Sequence, residues 1–139
     1  HKSLQCYVRK NTDPTQPDFL DAQLYVRSND AFLGMPFNIA GYAVLIHLLS
    51  REVGLLPGTL VYTVGDLHLY ENHVEQARLA VSRTPQDTPI VFNLLAVATH
   101  SLGDLSVNRP EVGLALVDEV VHALSGYCPK ETIKAPVSI

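Results

Sequence analysis

The sequence predicts a chain of class α/β, and three stretches carry that prediction. In the first, Ala22, Leu24 and Val26 alternate with Gln23, Tyr25 and Arg27, the two-residue period of a strand whose faces are used differently. In the second, the residues from Phe37 to Leu49 are apolar nearly all round. Pro36 suits the first position of a helix there, one buried on most of its surface. In the third, residues 59–64 read as a strand, and alternation resumes over residues 67–70 with His68 and Tyr70 on one face. Asn72 then stands where it can cap a helix through Val74, Ala77, Leu79, Ala80 and Val81.

Each element has its own signals. At the start, His1, Ser3, Gln5 and Tyr7 alternate with Lys2, Leu4, Cys6 and Val8 as a strand, and this opening inside an element reads as a cut chain. Residues 10–17, polar and proline-containing, form a long hairpin loop into the strand of residues 19–27. Arg27, Ser28, Asn29 and Asp30 are expected to end that strand, and Asn38 falls in the first turn of the helix that follows. The helix is expected to stop at Gly54, ahead of Leu55-Leu56-Pro57-Gly58. Gly65 and Asp66 are expected to interrupt the next strand. The helix after Asn72 stops before Thr84 and Pro85, with His73 in its first turn. Residues 90–98 read as a buried strand. Residues 110–124 allow a helix with Pro110 at its first position, or a strand.

The chain has 139 residues, 47% of them hydrophobic, enough for one domain with a core. No stretch is long and apolar enough to span a bilayer. A formal charge of −4 with scattered Lys and Arg speaks against binding nucleic acid through bulk electrostatics, so an anionic ligand must be held by local groups. The two cysteines, Cys6 and Cys128, lie far apart without a signal peptide, which points to a reducing, cytoplasmic setting. Strand parity turns Cys6 away from His1 and Gln5 and makes it a small core residue. His47, His68 and His73 lack metal-ligand spacing, so no metal is expected.

Arg27 and Ser28 in the turn and Asn38 in the helix bring three hydrogen-bonding chemistries together. Guanidinium and hydroxyl donors suit a phosphate. The Asn38 amide offers an acceptor beside donors, so it can pair with N–H beside C=O, as a uracil ring presents them. The same residues also suit ordinary turn chemistry and a satisfied structural amide.

The string Arg27-Ser28-x-Asp30-x-Phe32-Leu33-Gly34-x-Pro36-Phe37-Asn38-Ile39-Ala40-x-Tyr42-Ala43 resembles the signature of the thymidylate synthase family. Gly65-Asp66-x-His68-x-Tyr70-x-Asn72-His73 is similar to its second nucleotide-binding segment, and Ile133 to Ile139 to its closing tail. The likeness holds to about Pro85 and again from Gly126, and is weak over residues 86–125. It implies a large mixed, mostly antiparallel sheet packed against helices, with a dimer formed through the sheet. Residues 1–139 would be the carboxy-terminal half of such a domain, beginning just after the catalytic cysteine.

The resemblance further implies reductive methylation of dUMP to dTMP, with 5,10-methylenetetrahydrofolate giving up both the one-carbon unit and a hydride. Position by position, it implies that Arg27 and Ser28 bind phosphate and that Asn29 and Asp30 contact the nucleotide. Asp30 would also touch the folate. His1 and Asn38 would handle the C4 oxygen side of the ring, Gln5 would line the site, and His68 with Tyr70 would hold the sugar. Gly34 would let the folate approach, and Ser138, Ile139 and the terminal carboxylate would close over it.

Two departures stand out. Val26 occupies a position where the family usually has Gln, which changes the polar surroundings of the phosphate-binding Arg. The nucleophilic cysteine, the general-base Glu, a folate-stacking aromatic and further phosphate arginines are absent from this chain, including a pair donated across the dimer. An amino-terminal complement, as a segment or a partner chain, would supply them, giving a homodimer or a dimer of two-chain units that needs no nucleic acid or membrane. A deoxyuridylate or deoxycytidylate hydroxymethylase of the same superfamily and a non-catalytic remnant are the alternatives.

Overall fold

The computed structural model describes residues 3–85, 102, 110–123 and 127–138. Among them the elements are β1 (Ser3–Arg9), β2 (Phe19–Asp30), α1 (Gly34–Glu52), β3 (Leu56–His68), a 3-10 turn (Glu71–His73), α2 (Val74–Ser82) and α3 (Pro110–Ala123). The strands form a three-stranded mixed sheet in the order β1-β2-β3. The pair β1 and β2 is antiparallel, with Ser3 opposite Tyr25 and Arg9 opposite Phe19. The pair β2 and β3 is parallel, which requires a crossover, and α1 is that crossover.

Burial follows the alternation in the sequence. Leu20, Ala22, Leu24 and Val26 are buried, while Gln23, Tyr25 and Arg27 are exposed. β2 nevertheless runs three residues past Arg27. Polar side chains do not end a ladder whose backbone groups are paired, and here Ser28, Asn29 and Asp30 pair with Asp66, Leu67 and His68. For the same reason β3 is unbroken through Gly65 and Asp66 and begins at Leu56.

The hairpin is fastened by acidic side chains. Asp21 takes Arg9 Nε at 2.7 Å and the backbone N–H of Thr59 at 2.8 Å, so one carboxylate ties β1, β2 and β3 together. The Arg9 guanidinium first, and the Thr59 N–H second, hold that carboxyl below the usual carboxylate range. In the loop, Asp18 accepts from Lys10 at 2.7 Å and from the N–H of Asn11 at 3.0 Å.

α1 starts at Gly34, so Pro36 falls inside its first turn, where no backbone donor is needed. Its end was legible: Val53 caps it, and Gly54 has a φ of 69°, the left-handed conformation that glycine adopts without penalty. The expected burial holds only for its second half. Ile46, Leu48 and Ser50 are buried, whereas Phe37 is 77% exposed and Ile39, Ala40 and Gly41 are exposed too. Leu48 packs with Leu116 of α3, joined by Val44, Leu102 and Val120. The stretch read as helix or strand is thus a helix, α3.

Two further expectations need correction. Cys6 has the expected parity, opposite Ala22, yet it is exposed, because among the described residues nothing covers that end of β1's apolar face. Asn72 makes no cap to α2; its side chain faces the tail. Residues 90–98 lie outside the described residues. Among those described, no helix is long and apolar enough to cross a membrane.

Candidate functional site

Because β2 and β3 are parallel, their carboxyl ends lie side by side, and α1 starts beside them. Ala31 N–H donates to the His68 carbonyl at 2.8 Å and closes this edge. Asp30 then folds into the turn before α1, where its carboxylate accepts the N–H of Phe32 at 2.9 Å and of Leu33 at 3.3 Å. Leu33 has no capping side chain of its own. Asp30 therefore organises the entry to α1, as Asp does in turns.

Asn38 lies one turn into α1. Its Nδ2 donates to Asn29 Oδ1 at 3.0 Å, and Asn29 Nδ2 donates to the Tyr62 hydroxyl at 2.5 Å. Asn29 is only 5% exposed. Gly34 makes this arrangement possible, since a Cβ there would stand 2.7 Å from Asn29 Oδ1. Ser28 donates from its hydroxyl to Asp66 at 3.1 Å, and His68 Nδ1 lies 3.4 Å from the same oxygen.

A second group forms around His73, which is completely buried. Its Nε2 lies 2.7 Å from the Pro136 carbonyl. A carbonyl only accepts, so Nε2 carries the hydrogen. The other nitrogen, Nδ1, faces the Asp30 carboxylate at 3.8 Å without a hydrogen bond. Ser138 donates to Asn72 Oδ1 at 2.8 Å, and its Oγ is 3.3 Å from His73 Nε2. Upstream, Arg83 donates to the Glu131 carbonyl at 2.6 Å and Lys130 to that of Thr84. The tail is thereby held along the turn and α2. Rings fill the space beside it: His68 meets Tyr70 edge-on at 5.1 Å, and His73 lies 5.7 Å from both Tyr70 and Phe32.

Of the residues singled out in the sequence, Ser28, Asn29, Asp30, Gly34, Asn38, His68, Tyr70 and Ser138 gather at this end of the sheet. Arg27 is exposed at the same strand end and has no ion pair among the described residues. Gln5 does not join them. It pairs with Gln23 on the sheet face opposite Leu24 and Val26, away from α1. His1 and Ile139 lie outside the described residues. Among those described, no three His, Cys, Asp or Glu side chains converge as metal ligands would.

Sequence reading missed Tyr62 and the use of His73. Tyr62 looks like any alternating strand residue, and even the register, which sets it opposite Leu24, does not foretell that its hydroxyl reaches Asn29. His73 had a signal, since it closes the Gly65-to-His73 motif. The sequence held nothing to pair it with Pro136.

Comparison with known proteins bears on the same residues. The model of the thymidylate synthase family matches residues 1–139. Thymidylate synthases of Listeria monocytogenes serotype 4a (strain HCC23) and serotype 4b (strain CLIP80459) are each 44% identical over 139 residues, covering all of this chain and 38% of theirs. That of Listeria innocua serovar 6a (strain ATCC BAA-680 / CLIP 11262) is 43% identical with the same coverage. The chain thus spans 38% of the length of these relatives. With a family match along its whole length, and the family's signature residues assembled where β2, α1 and β3 meet, the chain belongs to the thymidylate synthase family.

Proposed function

We propose that this chain forms the part of a thymidylate synthase that reads the nucleotide and carries the closing tail, for reductive methylation of dUMP to dTMP by 5,10-methylenetetrahydrofolate. The observation that carries this reading is the Asn38 amide. One of its N–H groups is spent on Asn29, while its Oδ1 and second N–H have no partner among the described residues. An acceptor beside a donor complements the N3–H and O4 of uracil. Arg27 supplies for the phosphate, at the same strand end, a guanidinium with no ion pair among the described residues, and the Ser28 hydroxyl, which donates to Asp66 in this structure, turns to the phosphate when the nucleotide binds. His68 and Tyr70, at the end of β3, take the sugar hydroxyl.

Chemistry begins when a cysteine thiolate contributed from outside this chain, by an upstream segment or a partner chain, adds to C6 of the pyrimidine. His1 and Asn38 serve the C4 oxygen as charge shifts toward it, Asp30 and Gly34 border the folate, and Ser138 and Ile139 close over it to keep water out. The same contributed portion covers Val8, Phe37 and Ile39, which are 47%, 77% and 39% exposed in this chain. A second subunit covers the other face of the sheet.

The test is turnover by the full-length protein that carries this chain. With dUMP and methylenetetrahydrofolate, dTMP and dihydrofolate are expected in equal amounts. A hydroxymethylated nucleotide without dihydrofolate would identify the hydroxymethylase instead, and no folate-dependent product at all would leave a non-catalytic remnant.

A further inference from the structure

The tail meets the turn before α2 at two neighbouring residues, and they hold it differently. His73 binds the Pro136 carbonyl at 2.7 Å from a completely buried ring, where water does not compete for the bond. That ring lies against Tyr70 and Phe32, and the His73 N–H donates to the Tyr70 carbonyl at 2.9 Å. The tail is therefore fixed at Pro136. Two residues on, the Ser138 hydroxyl donates to Asn72 Oδ1 at 2.8 Å. Asn72 is exposed and makes no cap to α2. Between the two points stands Val137, 85% exposed, so among the described residues apolar burial does little to keep the tip of the tail down. The bond between Ser138 and Asn72 is its fastening. The Ser138 oxygen also lies 3.3 Å from His73 Nε2, but the hydrogen there is committed to Pro136.

We infer that Asn72 is a positioning residue for the folate step: it catches the tip of the tail through Ser138, with Pro136 as the fixed root, and so sets how firmly the tail closes. This role rests on the function proposed above and deepens it. Asn72 acts through Ser138, whose hydroxyl is spent on the catch rather than on a ligand. Either orientation of the Asn72 amide serves, since a serine hydroxyl can donate or accept. Because the bond is exposed, it is made and broken against water and contributes less than a buried one. The tip can thus lift and return while the root at Pro136 stays in place.

The experiment is a double-mutant cycle in the full-length protein, with Asn72→Ala, Ser138→Ala and the two together. Three quantities are read: kcat/KM for methylenetetrahydrofolate at saturating dUMP, the dissociation constant of dUMP, and amide hydrogen exchange at Val137 and Ser138. Each single variant is expected to lower kcat/KM about two- to tenfold, the effect of one hydrogen bond, with faster exchange and little change in dUMP affinity. The double variant is expected to fall no further than either single one, because both remove the same bond. Should Asn72→Ala not fold, Asn72→Ser, too short to reach the tail, takes its place. Drops that multiply in the double variant, single variants without a drop, unaltered exchange, or a matching loss of dUMP affinity each overturn the inference and leave the proposed function standing. A wild-type protein that forms no dTMP from dUMP and methylenetetrahydrofolate overturns the proposed function and this inference with it.

Discussion

At the scale of single residues, an amide distinguishes bases by the order in which it presents acceptor and donor, and Asn38 has one donor already committed to Asn29 at 3.0 Å. A carboxyl at this position changes that order, because its two oxygens can serve the N4 amino group of cytosine and, when protonated, its N3. Asn38→Asp in the full-length protein is expected to lower kcat/KM for dUMP and raise relative activity on dCMP. A mismatched buried polar pair costs about 1–3 kcal/mol, so the ratio should move by roughly ten- to a hundredfold. Specificity constants for the two nucleotides, wild type against variant, check it. An unmoved ratio would mean that Asn38 does not read the base.

At the scale of elements, the end of the sheet is a junction of β2, α1, β3 and the tail, and His73 fastens the tail to the rest. Replacing His73 by Phe keeps a ring against Tyr70 and Phe32 and removes the donor to the Pro136 carbonyl. An orphaned carbonyl costs about 1–3 kcal/mol, enough to release a tail with few other bonds. His73→Phe should therefore act like removal of Ile139: kcat falls far more than dUMP binding, because closure matters after both ligands are bound. Equal losses in kcat and dUMP affinity would make the tail merely structural. Much of this junction was legible in advance, since the period-two pattern of β2, the apolar run of α1 and the glycine at position 54 each report a local requirement. The run Arg27 to Asp30 reads as a strand end in the sequence, because the partners of Ser28 to Asp30, Asp66 to His68, lie in a strand that only the parallel register brings alongside. The links from Asn29 to Tyr62 and from His73 to Pro136 were invisible for the same reason: they join residues 33 and 63 positions apart, and spacing along a chain says nothing about contacts across a fold.

At the scale of the whole molecule, the sheet has one face against α1 and one without cover among the described residues. On the uncovered face stand Tyr7, Tyr25 and Val61, which are 67%, 39% and 49% exposed, with Gln5 and Gln23 between them by the register of β1 and β2. Arg9, Asp21 and Arg27 lie toward the ends of this face, so its middle, with two tyrosines, a valine and two glutamines, has the mixed aromatic and polar composition that protein interfaces use. A sheet that presents the same patch in two copies can cover it isologously, each copy meeting its twin about a two-fold axis. Val61 is suited to test this, because it pairs with Gln23 near the middle of the patch and its exposure lets a longer side chain point away without disturbing β3. Val61→Lys would place an unpaired ammonium inside the interface, at a cost of several kcal/mol for each copy. The full-length wild-type protein is expected to sediment as a dimer, and Val61→Lys as a monomer with unchanged far-ultraviolet circular dichroism, its dissociation constant raised by about a hundredfold or more. A variant that stays dimeric at the same concentration would place the subunit contact elsewhere, and the uncovered face would then need another occupant.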